Sequence, residues 1–196
     1  MAYSKKPKPV KVPLISTKKS ICMISYIYPR KKKTNEHFRR GIFVHKIEKE
    51  LTHYYNIYVL TTGYKGMKKN ETAENINIER LLLKNDVDKK NYGFIFSYRI
   101  IKNLIKNKYD LIHQHFVGMS TIFIGMYCKI FRKPFILSSY GTDWELPKND
   151  IFKNFIIKIA LFFPDKIIVC SNSVKNYLKF NVNEKKIIVN YIGVDL

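Results

Sequence analysis

Four short runs of this 196-residue sequence carry side chains suited to hold a ligand, and each follows a stretch of apolar, largely β-branched residues. The first runs from Tyr28-Pro-Arg30-Lys-Lys-Lys33 to Arg39-Arg-Gly41-Ile-Phe43. A basic loop with a glycine ahead of a helix can offer backbone N–H groups and the helix dipole to an anion. A plain solvent-exposed loop accounts for the lysines equally well, and neither a Walker loop nor a G-x-G-x-x-G pattern is present. The second is His113-Gln114-His115. Strand alternation sends both imidazoles to one face and the amide to the other. A metal pair would need further ligands that the neighbouring sequence does not supply, so no metal is expected. One imidazole reads as a structural group, and His115, nearer the strand end, is the better ligand contact.

The third run, Ser138-Ser-Tyr140-Gly141-Thr-Asp143-Trp144, places a close backbone approach, hydroxyls and a carboxylate at a strand end. A tight turn with Asp143 as a helix cap is the alternative. In the fourth, Val169-Cys-Ser171, either Ser171 or Ser173 can N-cap the following helix.

The elements that must position these residues alternate in type. Strand-like runs are expected at Ile21–Tyr28, Asn56–Thr62, Ile76–Leu83, Tyr109–His115, Phe135–Tyr140, Lys166–Ser171 and Ile187–Tyr191. Between them, helical spacing aligns Val44, Ile47, Leu51 and Tyr54; Phe94, Tyr98, Ile101, Leu104 and Ile105; Ile122, Met126 and Ile130; and Ile151, Phe155, Ile159 and Phe162. A short helix is expected near Val174–Leu178, and the polar segment Lys65–Asn75 reads as a loop. Strands apolar on both sides, such as Ile167-Ile-Val169, need helices on each face. The pattern predicts an α/β fold, a Rossmann-like open parallel sheet with helices on both faces, over residues 21–196. Residues 1–20, with Pro7, Pro9 and Pro13 and no periodicity, read as a flexible basic leader.

Composition bounds the function. The hydrophobic fraction of 46% excludes global disorder. Phe155–Phe163, interrupted by Lys158, is too short to span a bilayer and reads as a buried helix. Residues 1–20 lack the apolar core of a secretory signal. Cys22, Cys128 and Cys170 lie apart in apolar segments and read as reduced core residues, which points to the cytoplasm. Thirty-six basic against 15 acidic residues give a net charge of +21, which attracts polyanions. The leader lysines and Arg30–Lys33 concentrate that charge. They predict reversible contact with an anionic membrane surface, a peripheral location at the inner face of the plasma membrane. A basic nucleic-acid-binding or membrane-surface module without catalysis is the rival reading. No specific nucleic-acid partner is expected, because no aromatic-interleaved basic motif or zinc signature appears.

The order of these runs resembles family 4 glycosyltransferases. The resemblance extends from about Ile21 to Leu196 and rests mostly on Asp110–His115, Gly141–Asp143, Asp165–Ser171 and Gly193-Val-Asp195. It implies the N-terminal, acceptor-binding half of a GT-B enzyme, in which two Rossmann-like domains face a cleft. Arg30, Gly41, His115, Tyr140, Gly141, Asp143 and Ser171 would then line the acceptor and donor cleft. The implied activity is transfer of a sugar, of the hexosyl type with retention, from a nucleotide-sugar to a glycan or lipid-linked acceptor. The donor is a substrate, and no other cofactor is implied. A C-terminal domain or partner subunit would hold most of it, and this chain alone would be inactive. The sequence departs from the family pattern at Tyr140, where histidine is usual, at Ile192, where asparagine is usual, and in the first loop, where only Gly41 remains of a glycine pair.

Overall fold

The computed structural model describes residues 18–26, 28, 42–63, 66–83, 92–141 and 151–191. Eight strands form one sheet in the order β3-β4-β2-β1-β5-β6-β7-β8. They are β1 (Ser20–Ser25), β2 (Asn56–Gly63), β3 (Asn70–Ala73), β4 (Ile76–Leu83), β5 (Leu111–His115), β6 (Phe135–Ser139), β7 (Lys166–Val169) and β8 (Ile187–Val189). The helices are α1 (Ile42–Leu51), α2 (Tyr92–Lys106), α3 (Met119–Ile130), α4 (Ile151–Phe162) and α5 (Asn172–Leu178), with a 3-10 turn at Glu184–Lys186. All pairings are parallel except β3 with β4. The expected α/β architecture is therefore present, with one antiparallel edge.

That edge corrects the reading of Lys65–Asn75 as a loop. Glu74 and Asn75 both take positive φ, 51° and 64°, the conformation of a tight hairpin turn matched to strand twist. Asn70–Ala73 is polar because an edge strand faces solvent, and charge along it blunts edge-to-edge pairing. Arg80 pairs across the hairpin with Glu71 at 3.2 Å and fixes the register.

The strand cores lie where the apolar runs predicted them. Several strands end sooner than expected, at Ser25, Ser139, Val169 and Val189. Chain reversal about β1 puts α1 on one face, over Ile21, Met23, Ile57, Val59 and Ile78. Side chains of α2 and α3, led by Phe96, Ile100, Leu104 and Ile124, cover Cys22, Ile24, Leu60 and Ile112 on the other. Leu161 of α4 and Leu178 of α5 continue that layer over Leu137, Ile167 and Val169. Each fully buried large side chain contributes about 1.5–3 kcal/mol.

The helical spacings seen in the sequence do mark common faces, but mainly outer ones. Phe94, Tyr98 and Ile105 of α2, Met126 and Ile130 of α3, and Phe155 and Phe162 of α4 are exposed. Residues 155–163 are thus not the buried helix expected, since α4 turns Ala160 and Leu161 inward and Phe155 and Phe162 out. Cys22 and Cys128 are buried free thiols, whereas Cys170 is only half-buried and belongs to a cavity wall.

Candidate functional site

Parallel register brings the strand ends together. Ser25 pairs with His115, His115 with Ser138, and Ser138 with Ile168, so β1, β5, β6 and β7 finish on one line. The strand order departs in opposite directions from β1, the place where open α/β sheets bind ligands beyond their carboxyl ends. A cavity of about 190 Å³ opens beside this edge, between the strand ends and α1. Phe43, Lys46 and Ile47 reach it from one face of α1, and His113, His115, Ser138 and Tyr140 from β5 and β6.

The two imidazoles share a face, as alternation requires, with ring centres 4.4 Å apart. His113 Nε2 lies 2.8 Å from the Ser138 hydroxyl, and His115 Nδ1 lies 2.7 Å from the Tyr140 hydroxyl. Tyr140 is further held between Phe43, at 4.6 Å, and Phe116, at 5.1 Å. His115 Nε2 is buried without a hydrogen-bond partner among the described residues. Burial lowers the His113 pKa to about 4, and burial with the neighbouring His113 holds His115 well below its usual range. Both rings are neutral at physiological pH. They can exchange hydrogen bonds with hydroxyl groups but bring no positive charge, which Lys46 alone supplies among the described wall residues.

Backbone strain concentrates beside them. Phe116, directly after β5, takes φ 69°, a left-handed conformation that costs a bulky residue energy and recurs at functional edges. Gln114, on the opposite face, secures this turn by donating to the Phe116 carbonyl at 2.9 Å and to Ser120 at 3.0 Å. Gly141 takes φ 95°, so the turn after Tyr140 requires glycine there.

Of the residues singled out in the sequence, His115 and Tyr140 meet at the cavity, and Gly141 forms the adjoining turn. Ser171 uses its hydroxyl to accept from the Val174 N–H at 3.3 Å, capping α5. Arg30, Gly41 and Asp143 lie outside the described residues, as does the leader up to residue 17. Sequence reasoning held Phe43 and Cys170 only as members of longer runs, without a role at the site, and did not single out Phe116, Asn190 or Tyr191. Phe43 sits in the Gly-Ile-Phe run and Phe116 directly follows β5, whereas Asn190 and Tyr191 fall inside the last expected strand, which ends two residues sooner, at Val189.

Comparison with known proteins gives three findings. The family described as Glycosyltransferase Family 4 matches residues 41–196. An uncharacterised glycosyltransferase of Methanocaldococcus jannaschii is 33% identical over 102 residues, which is 52% of this chain and 29% of that one. Among solved structures, UDP-N-acetylglucosamine 2-epimerase of Rickettsia bellii superposes with a TM-score of 0.61 at 11% identity, over 89% of this chain and 45% of the epimerase. HepE of Anabaena, solved with UDP-glucose, gives 0.57 at 12%, over 90% of this chain and 44% of that protein. At such identities these structures establish the fold alone. The chain spans less than half the length of each of these relatives.

Proposed function

Because the chain belongs to glycosyltransferase family 4, we propose that it is the acceptor-side half of a retaining sugar transferase and that the cavity beside α1 seats the acceptor sugar. The observation that carries this reading is the neutral array of His113, Ser138, His115 and Tyr140 at the switch point of the sheet. Sugars are recognised through hydroxyls that both donate and accept, and neutral imidazoles and hydroxyls reciprocate without imposing charge. Phe43 and Tyr140 add aromatic surface for the apolar faces of a pyranose ring. The sugar donor is a nucleotide-sugar, held mainly by a further domain or subunit, and the acceptor is a glycan or lipid-linked glycan. Catalysis of this kind is chiefly positioning plus stabilisation of a leaving diphosphate. A half with few cations at its cleft then orients the acceptor and has no turnover of its own.

The test is to titrate the full chain with free mono- and disaccharides and, separately, with uridine and guanosine diphosphate sugars. Saccharides should shift the imidazole NMR signals of His115 and His113, and nucleotide-sugars should bind in the millimolar range at best by calorimetry. Micromolar affinity for a nucleotide-sugar, or saccharide shifts confined to residues far from β5 and β6, would overturn the acceptor-side reading.

A further inference from the structure

We infer that the outer surface of α2, α3 and α4 is a docking face for an anionic lipid bilayer. The three helices lie side by side on one face of the sheet. Phe94 of α2 meets Phe123 of α3 with ring centres 6.0 Å apart, and Gly125 of α3 lies against Phe163 at the end of α4. Each helix has a full inner face in the core and a second apolar stripe facing out. Phe94, Tyr98 and Ile105 recur along α2, Met126 and Ile130 along α3, and Phe155 and Phe162 along α4, at separations of four and seven that keep each set on one side. Exposures of 68% at Tyr98, 75% at Ile130 and 74% at Phe162 show how far these side chains stand out. Scattered exposed apolar residues need no explanation, whereas three adjacent stripes form a patch of the kind that marks an interaction surface.

Charge decides what covers it. No aspartate or glutamate occurs in α2, α3 or α4, while Arg99, Lys102, Lys106, Lys129 and Lys158 stand on the same helices, with Arg132 just beyond α3. Lys129 is paired with Asp165 at 2.8 Å, and Arg99 donates to the Leu81 carbonyl. Lys102, Lys106 and Lys158 are exposed around the apolar stripes. A second copy is a poor occupant, because a two-fold contact would press this face, and its cations, against themselves. An anionic bilayer answers both features: headgroups neutralise the lysines while Phe, Tyr and Ile enter the acyl boundary. Among the described residues no helix is long and apolar enough to cross a membrane, so the layer lies on the surface. This face differs from the leader and the Arg30–Lys33 loop to which the sequence alone assigned membrane contact, and it does not depend on what the cavity binds.

The experiment uses the full chain with vesicles of phosphatidylglycerol and phosphatidylcholine, compared with phosphatidylcholine alone. Co-sedimentation should require the anionic lipid and fall as salt rises. The double substitution Phe155→Ser and Phe162→Ser should weaken it at least about a hundredfold, roughly tenfold per aromatic side chain. Circular dichroism checks that this variant remains folded. In parallel, the fluorescence of Phe162→Trp, read as the difference from the parent protein with its single Trp144, should be quenched by lipids brominated on the acyl chain. Quenching establishes insertion even if the serine variant unfolds. A folded serine variant that binds as well as the parent, or an introduced tryptophan whose emission is indifferent to brominated lipid, would overturn the inference. So would binding abolished only by deleting residues 1–17, or a dimer that ignores vesicles and is broken by the serine pair.

Discussion

The Tyr140 hydroxyl stands 2.7 Å from Nδ1 of His115, with the two rings parallel to within 6°. The contact joins the end of β6 to the end of β5 and ties the histidine's tautomer to the direction of this bond. If the phenol donates, the ring proton sits on Nε2; if it accepts, the proton sits on Nδ1. Replacing Tyr140 by Phe keeps the aromatic packing on Phe43 and Phe116 and leaves Nδ1 without this partner in a buried site. The expected cost is about 1–3 kcal/mol. Urea unfolding should show a lower midpoint at unchanged m-value.

Protonation of the paired imidazoles gives a signed pH dependence. Their folded pKa values lie below the unfolded value near 6.5, that of His113 at about 4. The stability they contribute is fully present above pH 6.5 and is lost as pH falls towards and through 4. Substituting either by Asn should flatten the acid limb of a plot of stability against pH. Imidazole NMR signals should remain those of neutral rings at about pH 5.5.

Much of this architecture was legible because burial writes itself into sequence. Ile21, Met23 and Ile24 of β1 and the Asp110–His115 run announced two central strands, and alternation correctly placed His113 and His115 on one face. The hairpin at Asn70–Ala73 was not legible, because an exposed edge strand has no apolar face to repeat. Helical spacing failed to separate inner from outer surfaces on α2 to α4, since both carry apolar residues. The site was half visible: His115 and Tyr140 are polar groups at strand ends, whereas Phe43 and Phe116 look like any core aromatic until the fold brings them around Tyr140.

Glu48 supplies a second pH effect, of opposite sense. Its carboxyl points inward from α1, and neither oxygen makes a hydrogen bond of good geometry among the described residues; burial raises its pKa from 4.5 to about 8, against a smaller lowering by the nearby Tyr28 hydroxyl. The neighbouring Tyr28 hydroxyl also lies 2.8 Å from His45 Nδ1, and His45 Nε2 reaches Glu74 at 3.0 Å. In the folded chain Glu48 keeps its proton where the unfolded chain has lost it. Its contribution to stability is therefore complete below pH 4.5 and is lost as pH rises through about 8. Glu48→Met, which has similar volume and no charge, should remove that slope and stabilise the protein at about pH 8 by roughly 2–4 kcal/mol. Thermal melts between about pH 5 and pH 8 would measure it, and an unchanged slope would count against a buried acid at this position.

Gly125 tests how tightly α3 and α4 are joined. It lies inside α3, where glycine is worth about 1 kcal/mol less than alanine on helix propensity alone. Propensity therefore predicts that Gly125→Ala stabilises. Geometry predicts the reverse. A Cβ at this position would lie 2.3 Å from the Phe163 Cβ and 2.4 Å from its Cγ. Those atoms are at the root of the side chain, so rotating the ring cannot relieve the clash, and the end of α4 has to move. Overpacking of this kind costs about 1–3 kcal/mol, enough to exceed the gain in propensity. Gly125→Ala should therefore lower the unfolding midpoint, and Gly125→Val should lower it further. The companion change Phe163→Ala removes the ring but leaves its Cβ, so it should rescue Gly125→Ala only in part. Full rescue would place the strain in the ring, and a stabilised alanine variant would mean that α3 and α4 are not in contact there.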